Sequence, residues 1–337
     1  MPRLRRADCS EAGLARRRRG RGFEYLDADG NRLRDDEARA RIRALAIPPA
    51  WSEVWICRDP LGHLQATGVD AAGRKQYLYH PAWRLRRDRA KFDEMLEFAA
   101  ALPRLRRRAR RDLRGEELTH DRVLACALVL LDLGFFRIGS EAYAEQNGSF
   151  GLTTMLKRHV RLEDDELIFD YQAKGGLRRV QAIADPAVRE VVAELKRRRG
   201  GGERLLVYRE GRRWVELRSE SLNDQIKVLT GGDFSAKDFR TWNATVLAAV
   251  AVATLGTDAG SKAARKRAVN AAVKAVAAYL GNTPAVCRGS YIDPRVFDRF
   301  QGGHTIAETL PRPLASVDLA RRRSREEVES AVLDLIG

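Results

Sequence analysis

The sequence predicts an α+β protein, in which a small, antiparallel β-rich N-terminal domain precedes a larger, mainly α-helical C-terminal domain with a three-stranded β meander. Residues 23–81 consist of short apolar stretches separated by Asp-Gly, Pro-Leu-Gly and Ala-Gly turns, which is typical of an antiparallel sheet. Long segments after residue 114 repeat their apolar residues at helical spacing. The length of 337 residues also favours two domains.

The first part of the chain is expected to form a basic arm and then the β-rich domain. Residues 1–22 hold eight arginines and few apolar side chains, which predicts either a mobile arm that can lie along phosphates or a solvated tail. Residues 23–88 predict the β-rich domain, with one helix near 36–45.

The rest of the chain predicts the α-helical domain, over residues 89–337. Residues 84–114 have twelve Lys or Arg against five acids, and they predict a basic helical junction between the domains. In residues 159–183, V-x-L, LIFDY and RVQAI alternate around EDDE and KGG turns, which predicts the meander. Helical spacing predicts further helices at 119–136, 186–199, 238–255, 261–280 and 318–336.

The charge of the chain predicts a nucleic-acid partner. With 62 Lys and Arg against 46 Asp and Glu, the net charge is +16 and the pI is about 10.2, above the value of about 9 that marks nucleic-acid-binding domains. The mean hydropathy is −0.41, and no run of about 18 apolar residues suggests a membrane span. Because residues 1–22 contain no apolar signal segment, a cytoplasmic, nucleoid-associated location is expected.

No cofactor or metal site is predicted. The segment GTDAGSK, which starts at Gly256, departs from the phosphate-loop spacing G-x-x-x-x-G-K-[ST], so no nucleotide cofactor is expected. The scattered cysteines form no C-x-x-C pair and lack zinc-ligand spacing, so they are expected to be reduced thiols: Cys9, Cys57, Cys126 and Cys287. These features leave two function classes open, a DNA-modifying enzyme and a basic architectural protein that only binds DNA.

Two cations lie where their backbones are expected to be rigid. Arg137 follows an apolar helix and precedes Gly139, which would make it a firm phosphate clamp; the alternative is a surface arginine at a helix C-terminus. Lys174 precedes two glycines in AKGG, which predicts a hairpin tip that can enter a groove. The alternative for Lys174 is a solvated lysine in a turn.

Three further candidates lie later in the chain. Arg240 is expected in the first turn of a helix capped by Ser235 or Asp238, where it is better explained by a bound anion than by helix stability. Asn282 and Tyr291 lie at the two ends of a short helix in LGNTPAVCRGSYIDP, so both could face one phosphate. Taken alone, a tyrosine is more often a core or rim residue than a nucleophile.

The order Arg137, Lys174, Arg240, Asn282 and Tyr291 resembles the active-site order of the type IB DNA topoisomerases, in the compact form of poxviruses and many bacteria. The resemblance extends to IPPAW, TGVDAAGRKQYLYHP, RIGSEAYAEQNGSFGLTT and LGNTPAVCRGSYIDP. It covers about residues 48–298, so the first 22 residues and the tail beyond residue 310 lie outside it.

This resemblance implies a monomeric, C-shaped clamp on duplex DNA that relaxes supercoils without ATP or metal. Tyr291 would form a 3′-phosphotyrosyl link and release a 5′-hydroxyl, which attacks back after the cut duplex swivels. Arg137 and Arg240 would stabilise transition-state charge, and Lys174 would be the general acid. Where the poxvirus enzymes have histidine, this chain has Asn282, which can donate a hydrogen bond but cannot transfer a proton near neutral pH.

The resemblance also implies DNA contacts in the N-terminal domain. Gln76, Tyr77 and Tyr79 match the stretch that touches the major groove in the poxvirus-type enzymes, and Arg74 and Lys75 adjoin it. Strand geometry puts the two tyrosines on one face and Gln76 on the other, so contact by all three requires a strand end or bend. The alternative for the tyrosines is a cross-strand aromatic pair in the sheet core.

Two rival functions are weighed against this one. Tyrosine recombinases share the fold and the R-K-R-Y chemistry, but they usually have H-x-x-R at the second arginine, where this chain has Lys237 before Asp238, Phe239 and Arg240. A non-catalytic DNA-binding protein would explain the charge but not the ordered site residues. Relaxation of a supercoiled plasmid without ATP or Mg²⁺ separates the three.

Overall fold

The computed structural model describes residues 2–256, 260–310 and 322–337. The chain divides into two compact units, residues 1–91 and residues 92–337. The larger unit combines helices with a three-stranded sheet, and the smaller is built on a five-stranded antiparallel sheet. These features confirm the predicted α+β class.

The smaller unit is a sheet with strand order β2-β1-β3-β4-β5 and one helix packed on it. Its elements are β1 (Leu14–Arg19), β2 (Gly22–Leu26), α1 (Asp36–Ala44), β3 (Ser52–Ile56), β4 (Leu64–Val69) and β5 (Lys75–Tyr79). Asp35 caps α1 by accepting from the backbone N–H groups of Glu37 and Ala38. Ile42 of α1 is buried against Ile56 and Ala66 of the sheet.

The expected basic arm is wrong for part of residues 1–22, because Leu14–Arg19 is strand β1. This strand is paired with β2 through a two-residue turn at Gly20, whose φ is +57°, and with β3. Arg16 points inward: its guanidinium lies 4.1 Å from the Phe23 ring centroid and donates to the carbonyl of Ile47 at 3.0 Å. The aliphatic part of an arginine side chain can cover apolar surface, as an apolar strand residue does. The charge of this segment therefore gave no indication that it forms a strand.

The larger unit begins within a long helix and contains the predicted meander. The helices are α2 (Pro81–Asp112), α3 (His120–Gly134), α4 (Glu141–Asn147), α5 (Pro186–Arg197), α6 (Ser219–Thr230), α7 (Ala236–Leu255), α8 (Lys262–Leu280), α9 (Pro284–Ser290), α10 (Pro294–Gln301) and α11 (Arg322–Ile336). The strands are β6 (Val160–Glu163), β7 (Glu166–Ala173), β8 (Leu177–Ile183), β9 (Val207–Glu210) and β10 (Arg213–Glu216). Short 3₁₀ turns occur at Lys157–His159 and Ile306–Glu308.

Long periodic segments were predicted well, and short elements were missed. The meander order β6-β7-β8 and helices α3, α5, α7 and α8 agree with the expected ranges to within a few residues. The sequence did not predict α4, α6, α10 or the β9–β10 hairpin. The start of the last helix at 318–321, and part of the GTDAGSK segment at 257–259, lie outside the described residues.

Helix α2 is more than the expected basic junction. One face of it is core: Phe98 and Leu102 are fully buried, and the Phe98 ring packs edge-on to Phe239 of α7 with centroids 5.0 Å apart. The arginines occupy the other positions of the helix. A helix can therefore be basic overall and still contribute a buried stripe.

A buried ionic network joins α2, α3, α7 and α11. Arg106 donates to both carboxylate oxygens of Asp132 at 2.9 Å and also pairs with Glu329. Arg325 donates to Asp132 and to the Asn243 side chain. Within the described ranges, no helix is long and apolar enough to cross a membrane.

Candidate active site

The candidate site is built at the C-terminal end of α8. The last four carbonyls of a helix have no partner inside the helix, and α8 ends at Gly281, which has a left-handed φ of +65°. Three arginines from other elements, Arg137, Arg179 and Arg240, donate to these carbonyls. The sequence analysis named Arg137 and Arg240 as candidate site residues but did not name Arg179.

Arg137 is held firmly, as predicted, but it does not lie at a helix terminus. Helix α3 ends at Gly134, and the chain turns at Phe135 before it reaches Arg137. The Arg137 carbonyl accepts from the N–H of Leu152 at 2.8 Å, which fixes its backbone. Its Nη2 donates to the side-chain oxygen of Asn282 at 2.5 Å and to the Gly281 carbonyl at 3.4 Å.

Arg240 is buried, with 4% of its surface exposed. The helix begins with a capping box between Ser235 and Asp238, so Arg240 lies beyond the first turn and the expected anion site at free N–H groups is wrong. Its guanidinium instead donates to the carbonyls of Phe135 and Leu280. It also lies 5.4 Å from the ring centroid of Tyr291.

Burial and the neighbouring cations both affect the pKa of Arg240. Burial, followed by the nearby charge of Arg137, lowers the pKa of Arg240 to about 10, which still leaves it charged at pH 7. Its Nε is buried without a hydrogen-bond partner, and so is Nδ2 of Asn282. The Arg240 side chain binds the last carbonyl of α8, and Asn282, two residues beyond that helix, binds Arg137.

Tyr291 lies at the exit of the short helix α9, as the local sequence predicted, and before α10, which the sequence did not predict. Thr283 caps α9 by accepting from the N–H of Val286, and Pro284 opens that helix. The N–H of Tyr291 donates to the carbonyl of Cys287 at 3.0 Å, and its own carbonyl accepts from the Thr245 hydroxyl at 3.4 Å. The half-buried Tyr291 ring packs on the core.

Lys174 is not brought to the other four residues. It lies exposed at the tip of the β7–β8 hairpin, followed by Gly175 and Gly176 with φ values of +81° and +75°. Its Nζ lies 5.5 Å from the ring centroid of Tyr143 on α4. The hairpin tip was predicted correctly, and the structure brings together only Arg137, Arg240, Asn282 and Tyr291.

Strand β5 presents two tyrosines on one side of the smaller unit. Tyr77 and Tyr79 are 44% and 37% exposed, and their rings are stacked with centroids 6.2 Å apart. The Lys75 ammonium lies 5.9 Å from the Tyr77 ring centroid. The alternative of a cross-strand pair in the sheet core is therefore wrong, because the two rings belong to one edge strand and are exposed.

Gln76 and Arg74 are both bound to one carboxylate. Gln76 faces away from the tyrosines, and its amide donates to Asp70 at 2.8 Å. Arg74 pairs with the same carboxylate at 2.8 Å and, as its largest cause, holds the pKa of Asp70 at about 2. Among the described residues, no group of three or more His, Cys, Asp or Glu side chains is placed to hold a metal ion.

Comparison with known proteins identifies the family of this chain. Residues 80–303 match the sequence profile of the eukaryotic DNA topoisomerase I catalytic core, and residues 22–70 match that of the bacterial DNA topoisomerase IB N-terminal domain. DNA topoisomerase 1B of Acanthamoeba polyphaga mimivirus is 30% identical over 297 residues, which cover 86% of this chain and 88% of that relative. DNA topoisomerase 1 of Schizosaccharomyces pombe is 28% identical over 160 residues, which cover 47% of this chain and 19% of that relative. Since the catalytic-core profile spans more than half of the chain, this protein belongs to the type IB DNA topoisomerases, a family of isomerases.

Proposed function

We propose that this protein relaxes supercoiled DNA without ATP, by cutting one strand through a covalent bond between Tyr291 and a 3′-phosphate. The observation that carries the proposal is that two buried donors beside the end of α8, Arg240 Nε and Asn282 Nδ2, have no hydrogen-bond partner. A buried unpaired donor costs about 1–3 kcal/mol. A DNA phosphate would accept hydrogen bonds from both donors, which would explain why they have no partner within the protein.

The proposed reaction exchanges one phosphate ester for another. The Tyr291 oxygen attacks phosphorus and its proton is lost to solvent, while the bond from phosphorus to the 5′-oxygen breaks. The leaving oxygen takes a proton and becomes a 5′-hydroxyl. After the cut duplex swivels, the hydroxyl attacks the phosphotyrosyl ester and reverses each step, so the reaction needs no external energy source.

Arg137, Arg240 and Asn282 are proposed to stabilise the transition state. Charge gathers on the phosphate oxygens as the bonds change, and fixed donors lower that barrier. Arg240 is rigid because it is buried and bound to two carbonyls, and Arg137 is held by Asn282. Preorganised donors of this kind are typically worth about 2.7–4 kcal/mol each.

Lys174 is proposed as the general acid that protonates the leaving 5′-oxygen. Its Nζ lies over the Tyr143 ring rather than with the arginines. The role therefore requires the β7–β8 hairpin to bring Lys174 to the scissile phosphate when DNA is bound. Two glycines at the tip permit that change at low cost.

The β5 edge is proposed as a second DNA contact. The exposed, stacked Tyr77 and Tyr79 and the adjacent Lys75 offer apolar faces and a cation to a groove. Gln76 and Arg74 are proposed to join them, which requires both to exchange Asp70 for DNA. The protein is proposed to act as a monomer in the cytoplasm at the nucleoid, since one chain supplies every candidate residue.

The test is relaxation of a negatively supercoiled plasmid in EDTA without ATP, with trapping of covalent DNA. We expect wild-type protein to relax the plasmid, and Tyr291→Phe to bind DNA but neither relax it nor form an adduct, since the nucleophilic oxygen is gone. Tyr208→Phe, at a half-buried tyrosine on β9, is the matched control and should behave as wild type.

Each of the two rival functions predicts a different result. A DNA-binding protein without catalysis would bind the plasmid and leave its supercoiling unchanged. A recombinase would join DNA only between paired sites, so a plasmid with a single site would yield no exchange product. If Tyr291→Phe still formed covalent DNA, Tyr291 would not be the nucleophile.

A further inference from the structure

A third arginine completes the set of contacts at the end of α8. Arg179 of strand β8 donates to the carbonyl of Ala278 at 3.0 Å and to that of Tyr279. The next two carbonyls accept from the candidate catalytic arginines: Leu280 from Arg240 at 2.9 Å and Gly281 from Arg137 at 3.4 Å. Four consecutive carbonyls, 278–281, are thus satisfied by three guanidinium groups.

Residues of strands β7 and β8 also fix Arg179. Its register partner on β7 is the buried Tyr171. Burial, the largest cause, lowers the pKa of Arg179, and the Tyr171 hydroxyl opposes that shift by favouring the charged guanidinium. The Tyr171 hydroxyl donates to Gln181 at 3.4 Å, and Gln181 donates to the carbonyl of Gly134 at the end of α3. Arg179 therefore joins two fixed parts of the fold, the β7–β8 hairpin and the end of α8.

We propose that Arg179 is a positioning residue for strand cleavage, which fixes the end of α8 and so orients Arg240, Arg137 and Asn282. This inference rests on the proposed function. It follows from the adjacency of the contacts: the two carbonyls held by Arg179 directly precede the two that hold Arg240 and Arg137. Without Arg179, the N–H groups of Gly281 and Asn282 would still bind the carbonyls of Ala278 and Ala277, but the Tyr279 carbonyl would lose the guanidinium that binds it. A shift of this turn would move Asn282 and both arginines together.

The expected effect is on the chemical step and not on DNA affinity. Arg179 binds backbone carbonyls in the described structure, so its loss should leave most phosphate contacts intact. A displacement of about 1 Å at a reacting centre can cost about 100-fold in rate. We therefore expect Arg179→Ala to slow cleavage at saturating protein by about 10- to 100-fold, with the dissociation constant changed by less than about threefold.

The experiment measures single-turnover cleavage of a short duplex by wild type, Arg179→Ala, Arg179→Lys and Arg178→Ala. Lysine keeps a cation that can reach one carbonyl, so it should recover part of the rate lost in the alanine variant. Arg178→Ala is the matched control, because Arg178 is the adjacent strand residue, is 75% exposed and pairs with Asp170. Its rate should equal that of wild type, and thermal melting checks that all four proteins fold.

A second substrate separates Arg179 from Lys174, which lies on the same hairpin. A 5′-bridging phosphorothiolate leaves without a general acid. If Arg179 acts through the end of α8, Arg179→Ala should slow both substrates equally, whereas Lys174→Ala should be rescued by sulfur. Rescue of Arg179→Ala by sulfur, or a saturated rate equal to wild type in a folded variant, would overturn the inference. Absence of adduct in wild type would instead refute the proposed function.

Discussion

Asn282→Asp is the most direct test of the unpaired donors, because it exchanges one amide NH₂ for an oxygen and barely alters shape. The Asn282 oxygen accepts from Arg137 at 2.5 Å, and a carboxylate keeps that contact. The buried Nδ2, which has no partner, is replaced by an acceptor. The substitution therefore removes the donor proposed to meet the phosphate and adds a negative charge beside it.

Activity and stability should change in opposite directions. Loss of one transition-state donor costs about 2.7–4 kcal/mol, or roughly 100- to 1,000-fold in rate. Repulsion adds to this, since two like charges 4 Å apart interact by about 4 kcal/mol at an effective dielectric constant of 20. The wild-type bond already has a charged donor in Arg137, so any gain comes from the attraction between Arg137 and the new carboxylate. If that attraction lowers the pKa of the carboxyl by about one unit, the free energy of unfolding should rise by about 1.4 kcal/mol.

The stability gain should depend on pH in a defined direction. Arg137 would lower the pKa of the new carboxyl below its unfolded value of about 3.9. The gain should therefore be complete above that value and disappear as the pH falls through the lowered pKa of the folded state. Urea unfolding at pH 7 and at acidic pH measures this gain in the free energy of unfolding.

Single-turnover cleavage at saturating protein measures the expected loss of cleavage rate in Asn282→Asp. Asn270→Asp, at an exposed position of α8, adds the same charge away from the site and should cleave at nearly the wild-type rate. Cleavage by Asn282→Asp within about fivefold of wild type, or about 1 kcal/mol of barrier, would refute the role of Nδ2 as a transition-state donor.

Two further predictions concern Lys174 and the ionic network. Lys174→Ala should slow cleavage of an ordinary phosphodiester far more than that of a 5′-bridging phosphorothiolate; equal slowing in a rapid-quench assay would remove Lys174 from the general-acid role. Asp132→Asn should cost about 3–5 kcal/mol of unfolding free energy, because it breaks buried ion pairs and leaves Arg106 and Arg325 to share the carboxylate of Glu329. These arginines lower the pKa of Asp132, so the difference from wild type should be full at pH 7 and shrink as the pH falls through that lowered value. In urea unfolding, Asp233→Asn at an exposed pair should change little, and an equally small effect of Asp132→Asn would contradict the network's role.

The parts of the site that could be predicted are set by local chemistry. Gly281, Thr283 and Pro284 end one helix and begin the next, and those residue types have that effect wherever they occur. Gly175 and Gly176 likewise predicted the hairpin tip at Lys174. These signals act within a few residues, so the sequence alone contains them.

The parts that were missed depend on distant partners. Arg179 has the composition of an ordinary strand residue, and its role appears only when α8, ninety-nine positions away in sequence, ends beside it. Arg16 looks like part of a charged tail until its contact with the Ile47 carbonyl makes it an inward-facing strand residue. Arg240 was expected to bind an anion through helix N–H groups, but the actual acceptors are carbonyls of other elements.

The choice of carbonyls as partners for the site arginines has a functional consequence. Three clustered guanidinium groups repel one another, and burial adds a cost that lowers the pKa of Arg240. A carboxylate would relieve that cost but would also repel a phosphate and compete for the same donors. The C-terminal end of α8 carries only about half a negative charge, spread over backbone oxygens that keep Arg137, Arg179 and Arg240 in position. The helix end can therefore stabilise the cluster and still leave Arg240 Nε and Asn282 Nδ2 for the phosphate.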